Sequence, residues 1–329
     1  MIEWQNFDLK VRGDRAAGYR VAAAGPAGPQ GEAAFHEAAL AGLGPALWAI
    51  RAGTADRAAM ERVGLGLFQA LMPMEVMAAY VTVQNQLAAG QGLRLRLHQP
   101  PELDRLPWEL VYYPPDFFAA SPGLSVVRFL DRPDIPAPPE IERPLRIVYL
   151  AGDASGLSGS SAGQERAQLS AALAGAREEG LVDVLAARQA TAAALGEGQV
   201  LHFSGRAGQE EGKGVLFFEG GGDVQPMAGG RLTRRLVEAG VRLAVLCARG
   251  PVKEGSSGAW EDVARTLVGG GLAAVVTVHR PLPEGIELAF MAGFYRALGQ
   301  GRAVDAACGA GRQAVIDALG AAWPERGDW

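Results

Sequence analysis

Apolar residues recur along this chain in two rhythms, and the change between them divides it into elements. Ile2, Trp4, Phe7 and Leu9 stand among polar neighbours, and beyond the glycine-bounded stretch 13–18 the segment 19–23 is again apolar. The pairing predicts a β-hairpin opening a small sheet. From residue 31 to about 89 the spacing becomes helical, with Phe35, Leu40, Leu43 and Leu47, then Met60, Val63, Leu67 and Leu71, then Val76, Tyr80 and Val83. Intervals of about three to five predict two to four helices packed on that sheet. Leu93, Leu95 and Leu97 then alternate with Arg94, Arg96 and His98, which predicts a strand with one buried face, and a second strand is expected at 125–130. Between those strands the chain is turn-rich and aromatic, and Trp108 and Tyr112 read as packing residues.

Residues 131–144 hold Pro133, Pro136, Pro138, Pro139 and Pro144, too many for a helix or a central strand. This stretch is the expected linker, with an N-terminal α+β subdomain over 1–142 and an α/β domain over 145–329. In the second part, strands are expected at 145–150, 181–185, 200–203, 242–247 and 273–278, and a hairpin at 214–226. Helices are expected at 164–179, 191–195, 232–239, 261–268, 286–298 and 303–319. Near-continuous apolar strands separated by helices imply a parallel sheet covered on both faces. In such sheets function sits beyond the carboxyl ends of the strands, which directs attention to the Gly-rich loops 151–163, 204–214 and 248–258.

Composition narrows the chemistry. Lys and Arg number 31 against 36 Asp and Glu, a net charge of −5, so neither nucleic acid nor an anionic membrane is favoured as a generic partner. Cys247 and Cys308 both lie in apolar runs, which argues against a disulfide framework and suits a reducing, cytoplasmic setting. No apolar run approaches the roughly 20 residues that span a bilayer. Four scattered histidines give no metal-ligand spacing: His36 and His98 read as surface or strand-face residues and His279 as a loop residue. No Gly-rich phosphate loop is present, and no cofactor is expected. No repeat of about 20 to 50 residues is found.

Three blocks in order carry a resemblance. Leu106-Pro107-Trp108-Glu109-Leu110, followed by Ser121-Pro122 and residues 126–130, is similar to the "LPWEL … LSP … LVR" stretch of the CHAT family, caspase-like bacterial modules related to separase and caspases. Val200-Leu201-His202-Phe203-Ser204-Gly205 resembles that family's "HFSGHG" block, and residues 243–249 resemble its "LVVLNAC" block. The resemblance runs from Phe7 to Trp329 and implies a caspase-like three-layer α/β/α fold with a mainly parallel central sheet, preceded by a smaller α+β subdomain. Such modules usually carry a short final strand after a tryptophan like Trp329, so a longer protein is expected.

The implied chemistry is a His/Cys cysteine peptidase, but the sequence departs at both positions. Arg206 stands where the family's catalytic histidine would be, and Arg249 where its cysteine would be. A guanidinium stays protonated, offers only donors and has no nucleophilic lone pair, so it can serve as neither base nor nucleophile. The expectation is therefore a pseudoprotease that binds, scaffolds or regulates, with protein partners such as an active protease or a repeat-containing protein. One rival is a peptidase with a shifted His202/Cys247 pair. Another is a sensor of anionic ligands, its former cleft built from Arg206, Arg249, Asp153, Ser204 and Gly205. The two arginines are expected on neighbouring strand ends, balanced internally by Asp153, Glu210, Glu211 or Glu254, or else by an acidic partner.

Overall fold

The computed structural model describes residues 2–121, 123–132, 142–152, 162–187, 195–220, 223–249, 258–280 and 282–320. These fall into two compact units, one over Met1–Ile50 and Thr54–Asp131, the other over Arg132–Gly320 with Arg51–Gly53. Of the expected linker, 133–141 lie outside the described residues.

The first unit is built on a five-stranded sheet in the order β3-β2-β1-β4-β7. Its strands are β1 (Glu3–Asp14), β2 (Gly18–Gly25), β3 (Gly28–Ala34), β4 (Gln91–His98) and β7 (Leu124–Arg128). A short pair, β5 (Tyr112–Tyr113) and β6 (Asp116–Phe117), lies apart from it. β1 pairs antiparallel with β2 and parallel with β4, setting Phe7 opposite Leu95 and Leu9 opposite Leu97. Alternation then places Phe7, Leu9, Val11, Leu93, Leu95 and Leu97 together in the core. Helices α1 (Gly44–Ala52), α2 (Arg57–Leu71) and α3 (Met74–Asn85) follow the hairpin. Met60, Val63, Leu67, Leu71, Val76, Tyr80 and Val83 are all buried, each such side chain contributing about 1.5 to 3 kcal/mol. Asp56 caps α2 by accepting the Ala59 N–H at 2.7 Å.

The helical rhythm does not begin at residue 31 as expected, because the chain continues as β3 to Ala34 and turns helical only at Glu37. Gly-Pro-Gln-Gly-Glu-Ala-Ala has no apolar alternation; backbone bonds to β2 hold this edge strand. His98 ends β4 on a strand face, one of the two settings expected for it, and not at the surface. It is buried, with Nε2 2.8 Å from Asp8 and Nδ1 2.9 Å from Asp131. The Leu106 to Leu110 block is structural here. The indole N–H of Trp108, fully buried, donates to the Leu103 carbonyl at 3.0 Å, and Arg128 reaches back from β7 to Glu109 at 2.7 and 2.8 Å.

The second unit has the three layers expected of a caspase-like α/β/α fold. β9 (Val182–Ala187), β8 (Leu145–Ala151), β10 (Val200–Glu210), β13 (Leu243–Ala248) and β14 (Ala274–Val278) run parallel, each bonded to the next. The hairpin β11 (Lys213–Gly220) and β12 (Asp223–Ala228) extends the sheet beyond β10. On one face, Ile147, Tyr149, Val245 and Cys247 pack against Leu169 of α4 (Ala162–Ala172), Ala176 of α5 (Ala174–Glu178), Phe294 and Tyr295 of α8 (Glu284–Gly299), and Ala307 of α9 (Val304–Leu319). On the other, Leu150, Phe203 and Leu246 pack against Leu232 of α6 (Gly229–Glu238) and Val263 of α7 (Ala259–Gly269).

Two expectations change here. The helix over 164–179 is broken at Leu173 into α4 and α5. More consequentially, the strand expected at 200–203 runs on to Glu210, so 204–210 is not a loop. β8 flanks β10 only as far as Ser204; from Arg206 the same edge is taken by β11 running antiparallel, with Arg206 opposite Phe217. The glycines of this stretch sit in a paired ladder, and the turn comes at Glu211 and Gly212, both at positive φ. Most of the other two Gly-rich loops and the helix expected at 191–195, apart from Leu195, lie outside the described residues.

Candidate functional site

At the carboxyl end of β13 the chain places Arg249, whose backbone N–H donates to the Gly205 carbonyl at 2.7 Å. Because Ser204 is opposite Cys247 and Gly205 opposite Ala248, Arg206 and Arg249 are neighbours in register, but only Arg249 stands at a strand end; Arg206 lies within β10, not at its end as expected. Their side chains are balanced differently. The Arg206 guanidinium carbon lies 5.8 Å from the Phe217 ring centroid across the β10–β11 ladder. Arg249 turns toward the face covered by α4 and α8 and makes a bidentate pair with Glu287, Nη1 to Oε2 at 2.6 Å and Nη2 to Oε1 at 2.9 Å. Its Nε donates to Ser204 Oγ at 2.7 Å and stands 3.4 Å from Glu165 Oε2.

Glu165 closes the network. Its Oε2 accepts from the Tyr149 hydroxyl at 2.9 Å and the Ser204 hydroxyl at 2.8 Å. The cluster thus holds two carboxylates around one guanidinium, with Glu287 only 5% exposed and Ser204 3%. Burial works against the Arg249 charge, but Glu287 and Glu165 outweigh it and the guanidinium is held more firmly protonated than usual. Burial pushes the Glu287 carboxyl up; Arg249 pulls the other way and Glu165 adds to the rise.

At Arg249 two carboxylates that were not among those expected supply compensation. Glu210 and Glu211 are exposed on the β10–β11 hairpin, and Asp153 and Glu254 lie outside the described residues. Glu287 and Glu165 take the role, delivered by α8 and α4 from the layer above the sheet. A signal for Glu287 exists: it is a lone acid among Ile286, Leu288, Ala289 and Phe290, where an unpaired carboxylate would be costly. Glu165 sits in the polar run Gln164-Glu165-Arg166 and gives no such signal.

His202 and Cys247 lie on the same face, two registers apart, one bonded to Tyr295 and the other to Glu287. His202 Nδ1 is 2.8 Å from the Tyr295 hydroxyl, and its ring stacks on Tyr149 with centroids 5.5 Å apart. Burial, helped by Arg249, lowers its pKa to about 3. Cys247 is fully buried; burial first, then Glu287, push its thiol well above the ordinary range. A buried neutral thiol beside a neutral imidazole lacks the thiolate that attacks a carbonyl.

Among the described residues no group of three or more His, Cys, Asp or Glu could hold a metal ion, and no single helix is long and apolar enough to cross a membrane. A family model, the CHAT domain, matches residues 61–321. No curated protein matches the chain.

Proposed function

The chain belongs to the CHAT domain family, a caspase-like family, and we propose that it is a pseudoprotease, without peptidase activity, that binds or regulates protein partners, such as an active protease in a signalling or defence system. The observation that carries this reading is the Arg249–Glu287–Glu165–Ser204 network at the strand ends where a peptidase of this kind would need a reactive thiol. Arg249 has neither a free electron pair nor a free charge, since two carboxylates already neutralise it. For the same reason, gripping an acidic ligand through Arg249 would require displacing Glu287, which makes the anion-sensor reading the weaker one.

Incubation of the full chain with a mixed peptide library, alongside thiol labelling under native conditions, tests the proposal. No cleavage and no labelling of Cys247 are expected. Peptide cleavage that disappears in Cys247→Ala would overturn the proposal in favour of the shifted pair.

A further inference from the structure

On the opposite face of the same sheet stands a constellation that the network at Arg249 does not use. β14 is an edge strand, and Thr277 near its carboxyl end shares a face with His279, two residues on. Thr277 Oγ1 is 2.6 Å from His279 Nε2. The other ring nitrogen, Nδ1, lies 3.3 Å from a carboxylate oxygen of Glu261, in the first turn of α7. A carboxylate accepts only, so the ring proton belongs on Nδ1 and the Nε2 lone pair faces the threonine hydroxyl. The amino end of α7 favours an ionised Glu261. His279 is 39% exposed while Glu261 is 14% exposed, so the base meets solvent and its orienting partner sits behind it. The place is also apt, since parallel sheets put reacting groups beyond the carboxyl ends of their strands.

We propose that Thr277, His279 and Glu261 form an acyl-transfer site for a small carboxylic ester or thioester presented from solvent. Thr277 and His279 are the catalytic residues and Glu261 is a positioning residue. Thr277 Oγ1 attacks the acyl carbon as its proton passes to His279 Nε2. The acyl–oxygen or acyl–sulfur bond breaks, and the imidazolium returns that proton to the leaving alkoxide or thiolate. A water then gives its proton to Nε2, attacks the acyl-threonine and releases the carboxylic acid, with the proton restored to Thr277. The site is independent of Arg249, so its failure leaves the non-peptidase reading untouched.

The test uses the full chain and p-nitrophenyl acetate. Saturable hydrolysis is expected, with an acetyl group on the Thr277 peptide after an acid quench. Thr277→Val and His279→Gln should each lower kcat about a hundredfold or more, while Thr277→Ser retains turnover. Cys308→Ser should leave the rate unchanged, separating the reaction from thiol acylation. Glu261→Gln should lower kcat with KM unchanged, because the ring is no longer held in its orientation, and Glu261→Asp should recover part of the loss. A rate in Thr277→Val equal to wild type, an acetyl group on another residue, or an unchanged kcat in Glu261→Gln would overturn the assignment.

Discussion

Arg249 is worth more to the protein as a counter-charge than as a surface cation. Removing it in Arg249→Leu takes away the guanidinium that Glu287 and Glu165 share, and breaking a buried pair from one side costs about 3 to 5 kcal/mol. Denaturant unfolding of Arg249→Leu should show that loss, and Arg249→Met combined with Glu287→Leu should recover much of it. A single variant as stable as wild type would mean that the network contributes nothing. His202 gives a pH signature. Its folded pKa of about 3 lies below the usual 6.5, so between those values the unfolded chain binds a proton that the fold refuses. Stability is therefore full above about pH 6.5 and falls as the pH drops, by about 2 kcal/mol between about pH 6.5 and 5 at roughly 1.4 kcal/mol per unit. Unfolding of His202→Gln at both pH values should show a smaller drop than wild type by that amount; equal drops would show that His202 is not the titrating group.

At the scale of elements, the handover of one edge of β10 from β8 to β11 depends on close backbone approach. A Cβ on Gly152 would stand 2.6 Å from the Phe217 carbonyl oxygen and 2.7 Å from the Phe203 ring. Gly152→Ala should therefore cost about 1 to 3 kcal/mol, read as a lowered Tm; an unchanged Tm would mean that β11 is free to shift. The same handover explains what the sequence could and could not disclose. β8, β13 and β14 were legible because both faces of a parallel strand are covered and their residues are apolar in runs. The second half of β10 was not, since an antiparallel ladder is bonded through its backbone and Ser204-Gly205-Arg206-Ala207-Gly208 reads as a loop. β3 escaped for the same reason. At the site, strand register follows from the apolar runs, so Arg206 and Arg249 could be set side by side. Glu287 and Glu165 arrive from helices 38 and 84 residues away from Arg249 in sequence, and only tertiary packing brings them there.

At the scale of the molecule, the family match begins at Glu61, inside α2, yet β1, β2 and β3 supply three of the five strands of the first sheet. A chain lacking residues 1–60 would strip β4 of β1, one of its two partners, and uncover Val76, Tyr80 and Val83. It should be insoluble or bind a hydrophobic dye strongly, whereas the full chain should not; a soluble truncated chain with an undiminished Tm would show that the hairpin is dispensable. The pairing of β1 with β4 also bears on birth at the ribosome. Asp8 meets Arg96 across 88 residues, so the early hairpin emerges with one flank of β1 unmated. At synthesis rates of about 5 to 20 residues per second that flank waits on the order of ten seconds for its mate, an interval in which another nascent copy is the nearest rival. The charges of Asp8 and Lys10 on that strand are well placed to discourage such a union.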